Sequence, residues 1–202
     1  MTSVLAVFPD ETQCAEALPC SGTRVVQRFP SSTKNKEGKR DPEMHQIKKG
    51  NQWYYGMKVH IGADKDSGLN HSVVTKAANV HVITPATQLL HGDEKVVYGD
   101  AGYQGIAKSA DMAGHSAEFR VAMRPGKRRL LPDTPEGRLD DLVETAKAHI
   151  RSKVEHPFRV IKQQFGFQKT RLRGMAKNRC KISVLAALTN LFLARRQLLP
   201  KV

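Results

Sequence analysis

Residues 52–75 read QWYYGMKVHIGADKDSGLNHSVVT, and this stretch decides the fold. Its first half is rich in aromatic and β-branched residues, and Met57, Val59 and Ile61 recur at the period-two spacing of a strand. Asp66-Ser67-Gly68 is a turn sequence, and the residues after it return as a second apolar run. The stretch therefore predicts a β-hairpin.

The segments that follow predict two more strands, separated by short helices, and then two long helices. Lys95 to Asp100 is a compact apolar strand that ends at a Gly-Asp-Ala-Gly turn. A helical pattern runs from about Gly137 to Phe165, and a closing amphipathic helix from Ile182 to Leu199. The long helix carries a broad apolar face formed by Leu139, Leu142, Val143, Ala146, Ile150, Val154, Phe158 and Ile161. This order predicts an α/β fold in which helices flank one mixed sheet.

Charge is concentrated at the C-terminal end of the 202-residue chain, whose net charge is +14. From Thr145 onward there are fourteen Lys and Arg residues, and Glu155 is the single acid. Such a basic segment indicates a polyanionic partner, with nucleic acid first and a membrane surface second. The three cysteines form no metal-binding or disulfide pattern, and no signal peptide or membrane-spanning run is visible. We expect a cytoplasmic protein with no membrane association.

Two carboxylates are candidates for chemistry. Asp100 follows a buried-looking strand, and its alternative role is to cap the turn after it. Glu155 shares one helical stripe with Arg151 and Lys162, and its alternative role is a surface ion pair. Carboxylates on a basic surface could hold two Mg²⁺ ions that act on phosphate, but such chemistry needs at least three of them.

Several blocks of the sequence resemble the DDE-type transposases of bacterial insertion sequences. Arg151-x3-Glu155-x6-Lys162 matches three positions of their Y-(2)-R-(3)-E-(6)-K signature, and residues 97–103 are similar to the block around their second aspartate. Residues 30–41, 50–58 and 154–158 resemble the insertion sequence five group in particular. The resemblance covers about residues 30–196.

The resemblance implies an RNase H-like fold in which two aspartates and one glutamate bind two Mg²⁺ ions. It implies that Asp100 and Glu155 are catalytic metal ligands, and that DNA is contacted by Arg151, Lys162, Lys153 and Arg159. The activity implied is metal-dependent strand cleavage and transfer at transposon ends. The partners implied are transposon-end and target DNA and, in the active form, further copies of the chain. A bacterial, nucleoid-associated protein is expected.

The sequence departs from the family pattern at two places. The signature tyrosine falls at Ala148, and the first aspartate, traced back without gaps from Pro30, falls at about Thr23. No acid lies between Glu16 and Glu37, so Asp10 is the candidate substitute, whereas Asp64 and Asp66 are better explained by the hairpin turn. We therefore expect an atypical segment at 1–29 and a catalytic domain with basic C-terminal helices at 30–202.

The same departure predicts that the first strand is degraded or missing and that the chain is a partial copy with reduced or no activity. Two alternatives remain open: a DNA-binding remnant without catalysis, and a metal-dependent nuclease on the same fold.

Overall fold

The computed structural model describes residues 2–9, 36–49, 51–112 and 114–199, the first of these ranges as backbone. The strands are β1 (Thr2–Pro9), β2 (His45–Lys49), β3 (Gln52–Asp64), β4 (Asn70–Ala77), β5 (Val96–Gly99) and β6 (Glu118–Val121). The α-helices are α1 (Pro125–Arg128), α2 (Pro135–Arg159) and α3 (Met175–Leu198). Short 3-10 turns at Ala86–Gln88, Ala101–Tyr103, Ile106–Lys108 and Ala110–Met112 connect the strands.

The strands form one mixed sheet, which confirms the predicted α/β fold. The hairpin β3–β4 is antiparallel, as its turn sequence predicts, and the first residues of β3 also pair with β2. β1 lies between β3 and β5, antiparallel to β3 and parallel to β5, and β5 is parallel to the edge strand β6. This arrangement, with helices packed on the sheet, is compatible with an RNase H-like transposase domain.

A strand does occupy the centre of the sheet, so the expectation of a missing first strand is wrong. β1 pairs with β3 from Ser3 to Pro9 and with β5 from Thr2 to Leu5. The sequence from Val4 to Phe8 is apolar throughout, which is typical of a strand that is paired on both sides in a covered sheet. A degraded first strand, meaning one without the family aspartate, stays a prediction. Asp10 and Thr23, like all of residues 10–35, lie outside the described residues.

The two faces of the sheet carry separate hydrophobic cores. Met57, Val59 and Ile61 of β3 pack with Val154 and Phe158 of α2, together with Ile182 of α3. The other face is covered by the connecting turns, and the core there is formed by Val97 of β5 with Ala86, Leu89, Leu90, Tyr103, Ile106 and Met112. The period-two pattern of the hairpin therefore predicted its helix-facing side correctly.

The long predicted helix is confirmed, but its last turn changes geometry. α2 contains Pro157 and gives way to a π-helix at Val160–Gln164, where the amide of Phe165 donates to the carbonyl of Val160. In a π-helix each amide donates to the carbonyl five residues earlier, not four as in an α-helix. Residues beyond Val160 therefore rotate away from the stripe that α-helical spacing predicts. Lys162 is one of these residues.

The N-terminus of α3 is held by acids from a segment far away in sequence. The amide of Gly174 donates to Asp41 and that of Met175 to Glu43, each at 2.6 Å, and Arg173 pairs with Glu37. Because Gly174 has no side chain, these carboxylates satisfy the orphan amides of the helix. No helix in the described ranges combines the length and apolar character that a membrane crossing requires.

Candidate active site

Asp100 lies at the C-terminal end of β5, as the sequence predicts. It is also the N-cap of the 3-10 turn Ala101–Tyr103, because its Oδ1 accepts a hydrogen bond of 2.8 Å from the amide of Gly102. A Cβ atom at position 102 would come within 2.9 Å of that same oxygen, so the turn needs glycine there. Asp100 therefore caps the turn and also lies at the strand end where a catalytic residue is expected, so the two roles do not exclude each other.

The carboxyl group of Asp100 is partly shielded from solvent. Burial raises its pKa above the ordinary value, while the Gly102 amide and the positive charge of Arg151 act in the opposite direction. Arg151 of α2 is thus close enough to Asp100 to interact with it electrostatically. The structure brings together the strand-end acid and the first residue of the helical signature.

The remaining signature residues differ in their position relative to Arg151. Glu155 is 53% exposed, and its Oε1 lies 3.9 Å from Nη2 of Arg151, one helical turn earlier. Arg159 is exposed one turn further along the same stripe. Lys153 lies about half a turn away from the stripe, and Lys162 stands in the π-helix. The surface ion pair that sequence offered as the alternative for Glu155 therefore exists, at the long end of the ion-pair range.

The neighbouring strand β1 has no acid at the level of Asp100. The last register pair between the two strands is Leu5 with Gly99, and continuing that register by one residue aligns Ala6 with Asp100. Ala6 also pairs with Ile61 of β3, a residue of the core beneath the helices. The strand position beside Asp100 is therefore occupied by an alanine.

A sequence comparison places this geometry in a known family. A family model described as a transposase DDE domain matches residues 22–191, most of the chain. The chain belongs to the DDE transposase family. No solved structure matches it. Transposase function, DNA recombination and DNA as the partner follow from this membership, and family members use divalent metal ions.

The residues described here do not fit a two-metal site. Asp100 and Glu155 are the two signature carboxylates, and no group of three or more His, Cys, Asp or Glu side chains that could hold a metal occurs in the part of the chain that the structure describes. Two shared Mg²⁺ ions require more oxygen ligands than two carboxylates supply. The donor set of the described residues is therefore short of a ligand.

The position of the absent aspartate stays a prediction. The sequence places it at about Thr23, which lies inside the family match but outside the described residues. The position beside Asp100 depends on which segment pairs with β5, and only the register supplies that. The one signal available was the apolar run at Val4 to Phe8, which predicts a strand without predicting its neighbours.

Proposed function

We propose that this chain is a partial copy of an insertion sequence five group transposase that binds DNA and has reduced or no strand-cleavage activity. Asp100 and Glu155 are the remaining metal ligands of its active site. The observation that carries the proposal is the alanine abreast of Asp100, because a two-metal phosphoryl-transfer centre needs at least three carboxylates.

DNA binding in this proposal comes from the basic C-terminal segment. Arg151, Lys153, Arg159 and Lys162 contact phosphates, which position a duplex without reading its sequence. The fourteen Lys and Arg residues against one acid from Thr145 onward support strong, salt-dependent binding. Such binding to chromosomal DNA would place the chain at the nucleoid, and the active form is a homo-oligomer.

The sequence before residue 30 has a definite role in this proposal. Residues 1–21 precede the family match, and their strand Thr2–Pro9 fills the centre of the sheet without supplying the first aspartate. The fold is thereby completed while the catalytic set is not. Asp10, which follows the end of β1 directly, is the competing source of that ligand.

Restoring the carboxylate tests the proposal. Purified wild-type chain should bind duplex DNA equally well in Mn²⁺ and in EDTA, and should not nick supercoiled DNA. Ala6→Asp should gain saturable Mn²⁺ binding, measured by calorimetry, and Mn²⁺-dependent nicking. Ala6→Asn is the matched control, and Asp100→Asn combined with Ala6→Asp should abolish the gain.

Other outcomes separate the alternatives. Mn²⁺-dependent nicking by the wild-type chain that is as fast as that of Ala6→Asp and is lost in Asp100→Ala would overturn the proposal, and its loss in Asp10→Asn would identify Asp10 as the third ligand. Products joined to a second DNA end indicate transposition, whereas hydrolysed ends alone indicate the metal-dependent nuclease.

A further inference from the structure

Two helix faces of the chain expose large apolar side chains. One face belongs to the first half of α2 and carries Leu139, Leu142 and Val143. The other belongs to α3 and carries Val184, Leu188 and Leu191. These six side chains are between 42% and 65% exposed. We call the first set, with the cavity described next, the α2 groove, and the second set the α3 ridge.

The α2 groove is concave. Val143 is followed along the helix by Ala146 and Ile150, and all three line a cavity of about 640 Å³ whose opposite wall includes Phe119 and Val121 of the edge strand β6. Charged side chains in the wall are paired, Arg120 with Glu118 and Lys147 with Glu144, apart from exposed Lys108. The apolar face of the helix thus continues into a depression that could receive a protruding side chain.

The α3 ridge is convex and has the spacing of a coiled-coil seam. Val184, Leu188 and Leu191 follow one another at intervals of four and three, and Leu198 continues the seam seven residues later. The opposite side of α3, with Ile182, is buried. The ridge therefore protrudes from a helix that is already anchored.

The unpaired charges beside the two faces are opposite in sign, apart from Lys108 in the groove wall. Beside the α2 groove, Glu136 and Asp140 are exposed and take part in no ion pair with another described residue, whereas Asp133, Asp141 and Glu144 are each paired. The ridge is flanked by Lys177, Lys181 and Arg195, and α3 contains no acid. Two α3 ridges would bring like charges together, so the groove is the matching surface.

We propose that two copies of this chain associate by placing the α3 ridge of each on the α2 groove of the other. The two contacts are related by a two-fold axis, so the assembly closes as a dimer. The inference develops the homo-oligomer proposed above. Its test measures the mass of the protein without DNA or metal. The dimer can therefore be disproved while the proposed DNA function holds, and the DNA function can be disproved while the dimer holds.

Paired charge reversals test the contact in the full chain. The groove variant is Glu136→Lys with Asp140→Lys, and the ridge variant is Lys177→Glu with Lys181→Glu. Sedimentation equilibrium of nucleic-acid-free protein at low salt should give twice the 22.5 kDa chain mass for wild type. Each variant alone should dimerise at least about tenfold more weakly. An equimolar mixture should recover the dimer, because each reversed groove then meets a reversed ridge and each native groove a native ridge.

Apolar variants provide an independent measurement. Leu142→Ser and Leu188→Ser should each weaken the dimer about tenfold or more, with unchanged circular dichroism. The proposal is overturned by a wild-type chain that stays monomeric, by variants that dimerise like wild type, or by a mixture that does not recover. A ridge variant that loses DNA binding but keeps its dimer mass would assign the ridge to DNA and also overturn it.

Discussion

The two halves of α2 have the same amphipathic pattern but different surroundings. In the second half, Val154 is fully buried and Phe158 is 3% exposed against the sheet. In the first half, Leu139 and Leu142 are more than half exposed, although the sequence predicts one continuous apolar face. Periodicity identifies which residues share a face of a helix, but whether another element covers that face is decided by tertiary structure or by a partner.

The largest change in stability is expected for a substitution in the buried second half of α2. Phe158→Ala removes an aromatic ring from the core between α2 and β3, so the free energy of unfolding should fall by about 3–5 kcal/mol. Urea denaturation followed by circular dichroism measures this change. A loss below about 1 kcal/mol would mean that the second half of α2 is not the anchor of the helix.

The pH dependence of stability tests the burial of His60 in the sheet beneath α2. His60 of β3 is fully buried, its ring nitrogens have no hydrogen-bond partner among the described residues, and burial, with Lys58 and Lys76, lowers its pKa to about 3. Below about pH 6.5 the unfolded chain binds a proton at His60 that the folded chain does not. Above that pH this difference in proton binding is absent and does not lower stability. Stability should fall by about 2 kcal/mol between pH 6.5 and pH 5.

His60→Leu should remove this dependence and be the more stable protein at pH 5. Thermal unfolding of both proteins at pH 7.5 and pH 5 measures the difference. An equal loss in the two proteins would assign the acid sensitivity to other groups.

A smaller effect is expected at the boundary between the halves of α2. Glu144 is buried, and although burial raises its pKa, hydrogen bonds from Lys147 and from the amide of Met123 lower it overall. Its stabilising contribution is present above the ordinary pKa and is lost as pH falls through the lowered value. Glu144→Gln should cost about 1–2 kcal/mol at pH 7.

The matched control for Glu144 is Asp140→Asn, four residues earlier and exposed. It should change the unfolding free energy of the monomer by less than about 0.5 kcal/mol. If both substitutions have the same cost, the Glu144 contacts do not anchor this part of the helix.

The fold was predictable where local pattern decides it. The hairpin, the strand ending at Asp100 and the two long helices follow from period, turn residues and apolar spacing. The polar residues His45–Lys49 show no strand pattern in the sequence, yet they pair with β3, because an edge strand can be polar and needs only a partner backbone. The centre of the sheet was mispredicted, since strand pairing across about ninety residues leaves no local signal.

The candidate site was predictable to the same extent. Asp100, Arg151 and Glu155 follow from blocks in the sequence, and in the structure the positive charge of Arg151 lowers the pKa of Asp100 against the effect of burial. Helical extrapolation to Lys162 was less successful, because it assumes α-geometry through a segment that is π-helical. Ala6 could not be identified in advance, since its position is defined by register with β5 and not by any motif.

The smallest expected effect concerns the exposed half of α2 and completes the comparison with Phe158. Leu142→Ala removes an apolar side chain that is 65% exposed, so the monomer should lose less than about 0.5 kcal/mol. The measurement is urea unfolding at a concentration low enough to keep the chain monomeric. At high concentration the same substitution should lower the unfolding temperature relative to wild type, because a dimer that binds only the folded state stabilises it. A loss of several kcal/mol in the monomer would show that the first half of α2 is already covered within one chain, and the two halves would then not differ.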